Sequence, residues 1–394
     1  MVDVFSWHEK EKPVQGYNFT GVSAMNNSLP TSAATPTLLA DLLAKGWSGP
    51  VTLAEHLGTT TLDSFDGFGS ETEALFFGVA VHDLGWLRQI CVKGSDRERW
   101  LNGMVTNAIL TLKENEGAYN FLLNAQGRIL GDLDVWKLQT GPERIDLTLT
   151  IAANQLEATV AHLEHFIIMD DVELHNVCGV SPLGLTGPKA PELLASLGMP
   201  VPAAMTVAEG SFDKLQVTVH QTHSTTVPHF ELWFAEEELG EAWAKLQAAG
   251  AVPVGLQALN ALRILEGIPT YGTDILTTDL PQETNQLHAL NFTKGCYLGQ
   301  EIVERIHSRG AVHRHIRQFE LTGEIPKLPS ALFQDGKSVG ELTSADRVPI
   351  KGIQHIFALG HLRDEALLGA KPMEYDEGTA VVVNTLPFAN NDPQ

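Results

Sequence analysis

The chain is expected to fold as an α+β protein that ends in a small all-β unit, and three observations point there. Two stretches share one grammar, an apolar strand, a glycine-bearing polar turn and a helix. The first runs Gln89–Lys93, Gly94-Ser95-Asp96 and the helix Arg97–Asn107; the second runs Cys178–Gly187, Pro188-Lys189 and the helix Ala190–Leu197. Between and after them, period-2 strands mix with amphipathic helices. From His313 onward only short alternating runs remain. The repeated grammar suggests two related half-domains.

In order, residues 1–36 read as a linker or mobile arm, since Asn26–Ser32 with Pro30 and Pro36 is loop-forming. Thr37–Lys45 is a short helix closed by Gly46, Leu53–Gly69 has no clear period, and Glu71–Val81 is a helix. Ala118–Asn124 and Arg128–Leu138 read as a hairpin turning at Ala125-Gln126-Gly127, followed by the strand Leu147–Ala152 and the helix Gln155–Phe166. Leu215–Val219 and His229–Phe234 alternate as strands; Glu238–Ala249 and Leu256–Glu266 are helical. The last unit shows strands at Arg317–Leu321, Ser338–Thr343, Ile356–Leu362 and Ala380–Asn384, with a frayed end over Pro387–Gln394.

At 394 residues the chain is long enough for two or three domains, and its 43% apolar and 19% charged residues are those of a soluble globular protein. A formal charge of −22 argues against nucleic-acid binding through the overall field, which needs clustered cations. Three widely spaced cysteines make neither a disulfide framework nor a zinc pattern, and they cannot supply four thiolates to an iron–sulfur cluster. Cys91 and Cys178 fall in the apolar strands of the two units and are expected to be buried and inert. No segment resembles a signal peptide or approaches the roughly 18 apolar residues of a membrane span, so a cytoplasmic protein without a membrane partner is expected. His162 and His165, three apart on one helix, and His220, His223 and His229 are discounted as metal ligands, and no metal is expected.

One stretch stands apart, Lys294-Gly295-Cys296-Tyr297-Leu298-Gly299-Gln300-Glu301, followed by the helix-forming run Ile302–Ile306. Two glycines permit a tight, exposed turn. Lys294 and the positive end of the next helix are two reasons for the Cys296 thiol to ionise early, and Tyr297 adds a flat face and a hydroxyl. Taken alone, a cysteine in a glycine loop is usually incidental. The whole string, however, resembles the Lys-Gly-Cys-Tyr-x-Gly-Gln-Glu signature of the YgfZ-type folate-binding proteins. These are relatives of the glycine-cleavage T-protein (aminomethyltransferase), linked to iron–sulfur cluster maturation and repair and through it to tRNA modification.

Further stretches resemble the same superfamily: Cys91–Asp96 with Trp100-Leu101, Leu185–Ala190, Gly255–Gly267 with Tyr271–Asp274, and Val339–Ser344. The resemblance covers residues 52–385. It implies an aminomethyltransferase-like three-domain ring around a folate channel: an arm over 1–50, a first domain from 51–106 and 211–312, an inserted α+β domain at 107–210, and a β-barrel at 313–394. It also implies tetrahydrofolate as cofactor and iron–sulfur assembly or client proteins as partners. Asp132 matches an acid near the reacting folate nitrogen, Glu231 the acid that bonds the pterin amino group and ring N–H, and Arg263 an arginine of the folate site. Tyr119 is a stacking face. Lys294 and Tyr297 join the cofactor-binding set, and Cys296 and Asp132 are the candidate catalytic pair. Read from the residues alone, Asp132 and Glu231 could equally be solvent-facing strand positions and Arg263 a helix-surface cation.

Departures matter too. The glycine-rich loop that precedes the glutamate in aminomethyltransferases is replaced by His223–His229, their Asp-Asp pair is Gly131-Asp132, and an arginine position is Leu259. These favour the YgfZ-type reading over an aminomethyltransferase or folate-dependent demethylase. Arg305, Arg309, Arg314 and Arg317, with His307, His313 and His315, form a basic island that is either a surface feature or an anion site for a glutamyl tail or acidic partner.

Overall fold

The computed structural model describes residues 35–383 apart from 47–50, 66, 142–143, 311, 351 and 370. Most of the expected N-terminal arm and the expected frayed end at Pro387–Gln394 therefore lie outside the described residues.

A small sheet opens the fold. β1 (Thr35–Pro36) and helix α1 (Leu38–Gly46), the helix expected at Thr37–Lys45, precede β2 (Thr52–His56) and β3 (Thr59–Ser64), which account for most of the stretch without a clear period, with strand order β1-β3-β2. Helix α2 covers Phe68–Phe77 rather than Glu71–Val81. It stops at Gly78, and Ala80-Val81 instead enter β4 (Ala80–Asp83), pairing with Thr186-Leu185 on one side and Val252-Pro253 on the other. Ladder pairing on both edges overrides the local helical pattern.

Two copies of one unit follow. The first is β5 (Leu87–Lys93), α3 (Arg97–Met104), β6 (Glu116–Leu123), β7 (Ile129–Gly141), β8 (Arg144–Ala152), α4 (Leu156–His165) and β9 (Glu173–Val177). The second is β10 (Val180–Thr186), α5 (Ala190–Ser196), β11 (Thr206–Phe212), β12 (Leu215–Gln221), β13 (His229–Ala235), α6 (Leu239–Ala248) and β14 (Val252–Pro253). In each unit the first strand pairs with the fourth, the fourth with the third and the third with the second. The second strands meet at Thr206↔Glu116, making one sheet of eleven strands, β14-β4-β10-β13-β12-β11-β6-β7-β8-β5-β9. The half-domain repeat read from the sequence is thus visible in the topology. The boundary expected at 210/211 falls inside β11, which bonds to strands on both sides.

Each half-sheet covers its own apolar layer: Leu39, Phe230, Phe234 and Trp243 lie in one, Ile90, Trp100, Leu101 and Leu149 in the other. Cys91 is buried as expected, but Cys178 is exposed, because the turn at Gly179 (φ 77°) ends β9 just before it.

After α7 (Leu256–Glu266) and α8 (Gln300–Arg309) the chain closes a six-stranded barrel from β15 (Arg314–Gly323), β16 (Ser330–Gln334), β17 (Lys337–Ile350), β18 (Ile353–Arg363), β19 (Met373–Tyr375) and β20 (Gly378–Val382), in the order β15-β18-β17-β16-β19-β20. Its outer wall meets α7, with Ala261, Ile264 and Leu265 against Val348, Phe357 and Leu359.

A polar hub sits at that junction. Asp274 has no exposed surface and accepts hydrogen bonds from Arg263 Nη1 at 2.8 Å, Thr343 Oγ1 and Ser344 Oγ at 2.6 Å each, and the Thr270 amide at 2.9 Å. Removing the carboxylate takes the only acidic hydrogen-bond partner among the described residues from a half-buried guanidinium, and one acceptor from each of two hydroxyls. Asp274→Ala is therefore expected to cost about 3–5 kcal/mol in urea unfolding; a loss under about 1 kcal/mol would show that the barrel is held by apolar contact alone.

Candidate functional site

Where the two half-sheets face α7, the 268–273 loop and the barrel, they leave a cavity of about 730 Å³. Strand period places its acids. Asp132 and Asp134 lie two apart on β7 and so share one face; Tyr119 on β6 stands opposite Asp134, and Glu231 on β13 stands opposite His220 and Gly184. All four of Tyr119, Asp132, Asp134 and Glu231 line the cavity. Gly184 is required here: a Cβ would lie 1.8 Å from the His82 ring, which packs across it.

Hydrogen bonds divide the acids by role. Asp132 accepts from Tyr119 Oη at 2.8 Å and from Gln155 Nε2 at 2.7 Å, while its own amide donates to Gln155 Oε1 at 3.0 Å. Glu231, 4% exposed, accepts from Trp233 Nε1 at 3.0 Å. Asp134 has no side-chain hydrogen bond among the described residues. Burial raises all three carboxyls, Glu231 to about 7; Asp134 is raised further by the charges of Glu231 and Asp132, whereas Gln155 and Tyr119 oppose the rise at Asp132. The wall thus disfavours ionisation of each of its three carboxyls.

Aromatic and imidazole groups complete the lining. Tyr119, His288 and His223 form a stack, with centroids 5.3 Å apart for Tyr119–His288 and 3.9 Å for His288–His223. Desolvation lowers His288 to about 4, with His223 adding to the effect, so the stack is neutral at pH 7. Thr186 Oγ1 links the buried His82 (3.0 Å) to His229 (2.5 Å), and desolvation takes these imidazoles to about 3 and 4. No group of three or more potential metal ligands occurs among the described residues.

The structure brings together Tyr119, Asp132, Glu231 and Arg263, all in the lining. Arg263 is not a surface cation, since its guanidinium is spent on Asn260, Asp274 and Ser344. Lys294, Cys296 and Tyr297 are not among the lining residues. Tyr297 is 7% exposed in an apolar cluster with Phe121, Leu123 and Ile129. Lys294 donates to the carbonyls of Val105 (2.7 Å) and Asn107 (2.5 Å), and burial lowers it to about 7, so it is a weaker cationic neighbour for the thiol than the sequence suggested. Cys296 is exposed. Much of the basic island is neutralised: Arg314 pairs with Asp279 and Glu283, and His315 and Arg317 with Asp364.

Sequence reading missed Asp134, Gln155 and His288 and discounted His223 and His229. The i+2 spacing from Asp132 could have found Asp134; nothing local marks His288, whose partners are 65 and 169 positions away.

The raised Glu231 carboxyl makes a signed prediction. The folded state holds this proton more tightly than the unfolded chain, so stability is present at low pH and lost as pH rises from about 4.5 through about 7. Glu231→Gln removes that loss: the variant should be more stable than the parent by about 2–3 kcal/mol at pH 8 and about equal at pH 4.5 in urea unfolding. An equal difference at both pH values would refute the burial effect.

Residues 42–294 match the family described as GCVT N-terminal domain. An aminomethyltransferase of Caldanaerobacter subterraneus subsp. tengcongensis is 26% identical over 314 residues, 76% of this chain and 78% of its own length. A candidate transferase, chloroplastic, of Arabidopsis thaliana is 25% identical over 333 residues, 83% and 75% of the two chains. The crystal structure of the glycine cleavage system aminomethyltransferase T from Bartonella henselae superposes with a TM-score of 0.79 at 20% identity, over 90% of this chain and 98% of that one. The expected α+β, aminomethyltransferase-like fold with its C-terminal barrel is borne out. The matched span contains the whole eleven-stranded sheet and α7, and the chain belongs to the GCVT N-terminal domain family.

Proposed function

We propose that the cavity binds tetrahydrofolate and that the protein, of the YgfZ type, supports iron–sulfur cluster assembly or repair and, through it, tRNA modification. The observation that carries the folate reading is the convergence of Asp132, Asp134 and Glu231 beside the Tyr119–His288–His223 stack. A cavity of about 730 Å³ is of cofactor size. The donor chemistry fits: a pterin presents an amino group and an adjacent ring N–H to one carboxylate, and its flat ring suits a stacked face.

In this reading Glu231 orients the ring, the stack covers it, and Asp132, held by Tyr119 and Gln155, holds or accepts a proton beside the reacting nitrogen. Bound tetrahydrofolate would supply a nitrogen that carries one-carbon groups. Arg263 acts on the site by holding the barrel against α7 rather than by donating to the ligand. The iron–sulfur half of the reading rests on the Lys294–Glu301 string, with the exposed Cys296 as a transient thiolate ligand or covalent participant that meets a partner at the surface.

The names of the aminomethyltransferase relatives favour a second reading, transfer of an aminomethyl group or folate-dependent demethylation. Against it stand the altered His223–His229 segment and Leu259. Production of methylene-tetrahydrofolate from an aminomethyl or N-methyl donor would establish this second reading.

Tetrahydrofolate is expected to raise the melting temperature, and Glu231→Gln to weaken its binding about 10- to 100-fold by calorimetry, the range for a lost charge-assisted pair. No stabilisation by tetrahydrofolate at millimolar concentration would remove the folate reading. Cys296→Ala should bind within twofold of the parent yet fail to restore iron–sulfur enzyme activity in a deletion strain. Full restoration by that variant would remove the thiol from the function.

A further inference from the structure

Asp134 differs from the other two acids of the wall. Asp132 already takes two side-chain donors and Glu231 one, but Asp134 takes none among the described residues, although it lines the same cavity from the same strand face as Asp132. Its acceptor capacity is therefore open to a ligand. Arg263, the arginine of the lining, is committed to Asn260, Asp274 and Ser344. When Asp134 is ionised, a ligand seated against it must bring N–H or O–H donors, because bare lone pairs would face lone pairs in a desolvated site.

The pteridine ring offers a sharp contrast here. Its N5 and N8 carry hydrogens in the tetrahydro form, N8 alone does in the 7,8-dihydro form, and both are bare acceptors in the fully oxidised ring. We propose that Asp134 sets the oxidation state of the pteridine that the cavity accepts, taking a ring N–H that tetrahydrofolate carries and folic acid lacks. The inference rests on the folate reading and makes Asp134 a specificity-determining residue, two positions beyond the acid that the family resemblance marks.

The discrimination has a pH dependence of stated sign. The charged and titratable groups facing Asp134 are Asp132 on β7, Tyr119 on β6 and Glu231 on β13. Two of these are acids that favour its protonated form, which donates a hydrogen and so tolerates a bare ring nitrogen. Raising the pH removes that proton and sharpens the preference for the reduced ring.

The test is anaerobic calorimetric titration of the full chain with tetrahydrofolate, 7,8-dihydrofolate and folic acid at pH 6 and pH 8.5. The parent protein is expected to prefer tetrahydrofolate over folic acid by at least tenfold at pH 8.5 and by less at pH 6. Asp134→Leu and the near-isosteric Asp134→Asn, each checked for an unchanged fold by melting and circular dichroism, should bring the ratio within about twofold at both pH values. Dihydrofolate grouping with tetrahydrofolate assigns the contact to N8, and grouping with folic acid assigns it to N5; both support the proposal. Binding with a ratio that the variants leave unchanged overturns the role of Asp134 while keeping the folate reading. Failure of the parent to bind any of the three overturns both.

Discussion

The carboxylate of Asp274 joins three pieces of chain, at the junction where α7 also packs its apolar face on the barrel. It takes Arg263 from α7, the Thr270 amide from the loop that follows, and the hydroxyls of Thr343 and Ser344 from the barrel hairpin. A charge with no exposed surface is tolerable only when its lone pairs are all used, so the hub fixes relative position more sharply than apolar packing does. The cavity depends on it directly. The sheet supplies one wall, but the opposite wall is α7 and the 268–273 loop, and both are anchored at this point. His361 adds a contact from the next barrel strand, 2.9 Å from the Asp274 carbonyl.

With that frame rigid, the sheet can hold acids where water does not compensate them. The doubled unit makes this possible, because the seam between β6 and β11 brings two half-sheets side by side, and each presents polar groups to the same hollow. One half contributes Tyr119, Asp132 and Asp134, and the other His229 and Glu231. Burial opposes ionisation of every carboxyl in the wall, and their mutual repulsion adds to it at Asp134. Such a wall donates hydrogens while its carboxyls hold their protons and accepts N–H donors once they ionise, and the folding free energy it forgoes as Glu231 ionises is a cost of keeping acids out of water.

Legibility in the sequence followed contact distance along the chain. The repeat was readable because each unit carries its own strand–glycine–helix order, and the barrel because its strands alternate locally. Asp132 and Glu231 were reachable through motifs that flank them. The stack of Tyr119, His288 and His223 was not, since neither residue period nor turn chemistry brings positions 119, 223 and 288 together; the tertiary fold does. The basic island misled for the same reason. Its own thirteen residues contain no carboxylate, but Asp279, Glu283 and Asp364 arrive from elsewhere to pair with Arg314, His315 and Arg317. Cys178 was misplaced by a single turn, where Gly179 ends a strand one residue early.

The Lys294–Glu301 string itself divides into structural and free positions. Gly299 (φ 82°) leaves no room for a side chain, since a Cβ would lie 2.6 Å from the Asn124 carbonyl at the β6–β7 turn. Lys294 ties to the carbonyls of Val105 and Asn107, Tyr297 enters the apolar cluster beneath β6 and β7, and the Leu298 amide bonds to the Gly103 carbonyl. Lys294 and Leu298 hold the end of α3 and the segment after it, while Gly299 and Tyr297 pack on the hairpin whose strands carry Tyr119 and Asp132 into the cavity. Cys296 is the exception: exposed, beside a Gly295 with open space around it, it contributes nothing visible to this anchoring. The loop thus spends its neighbours on anchoring and leaves one thiol exposed to solvent.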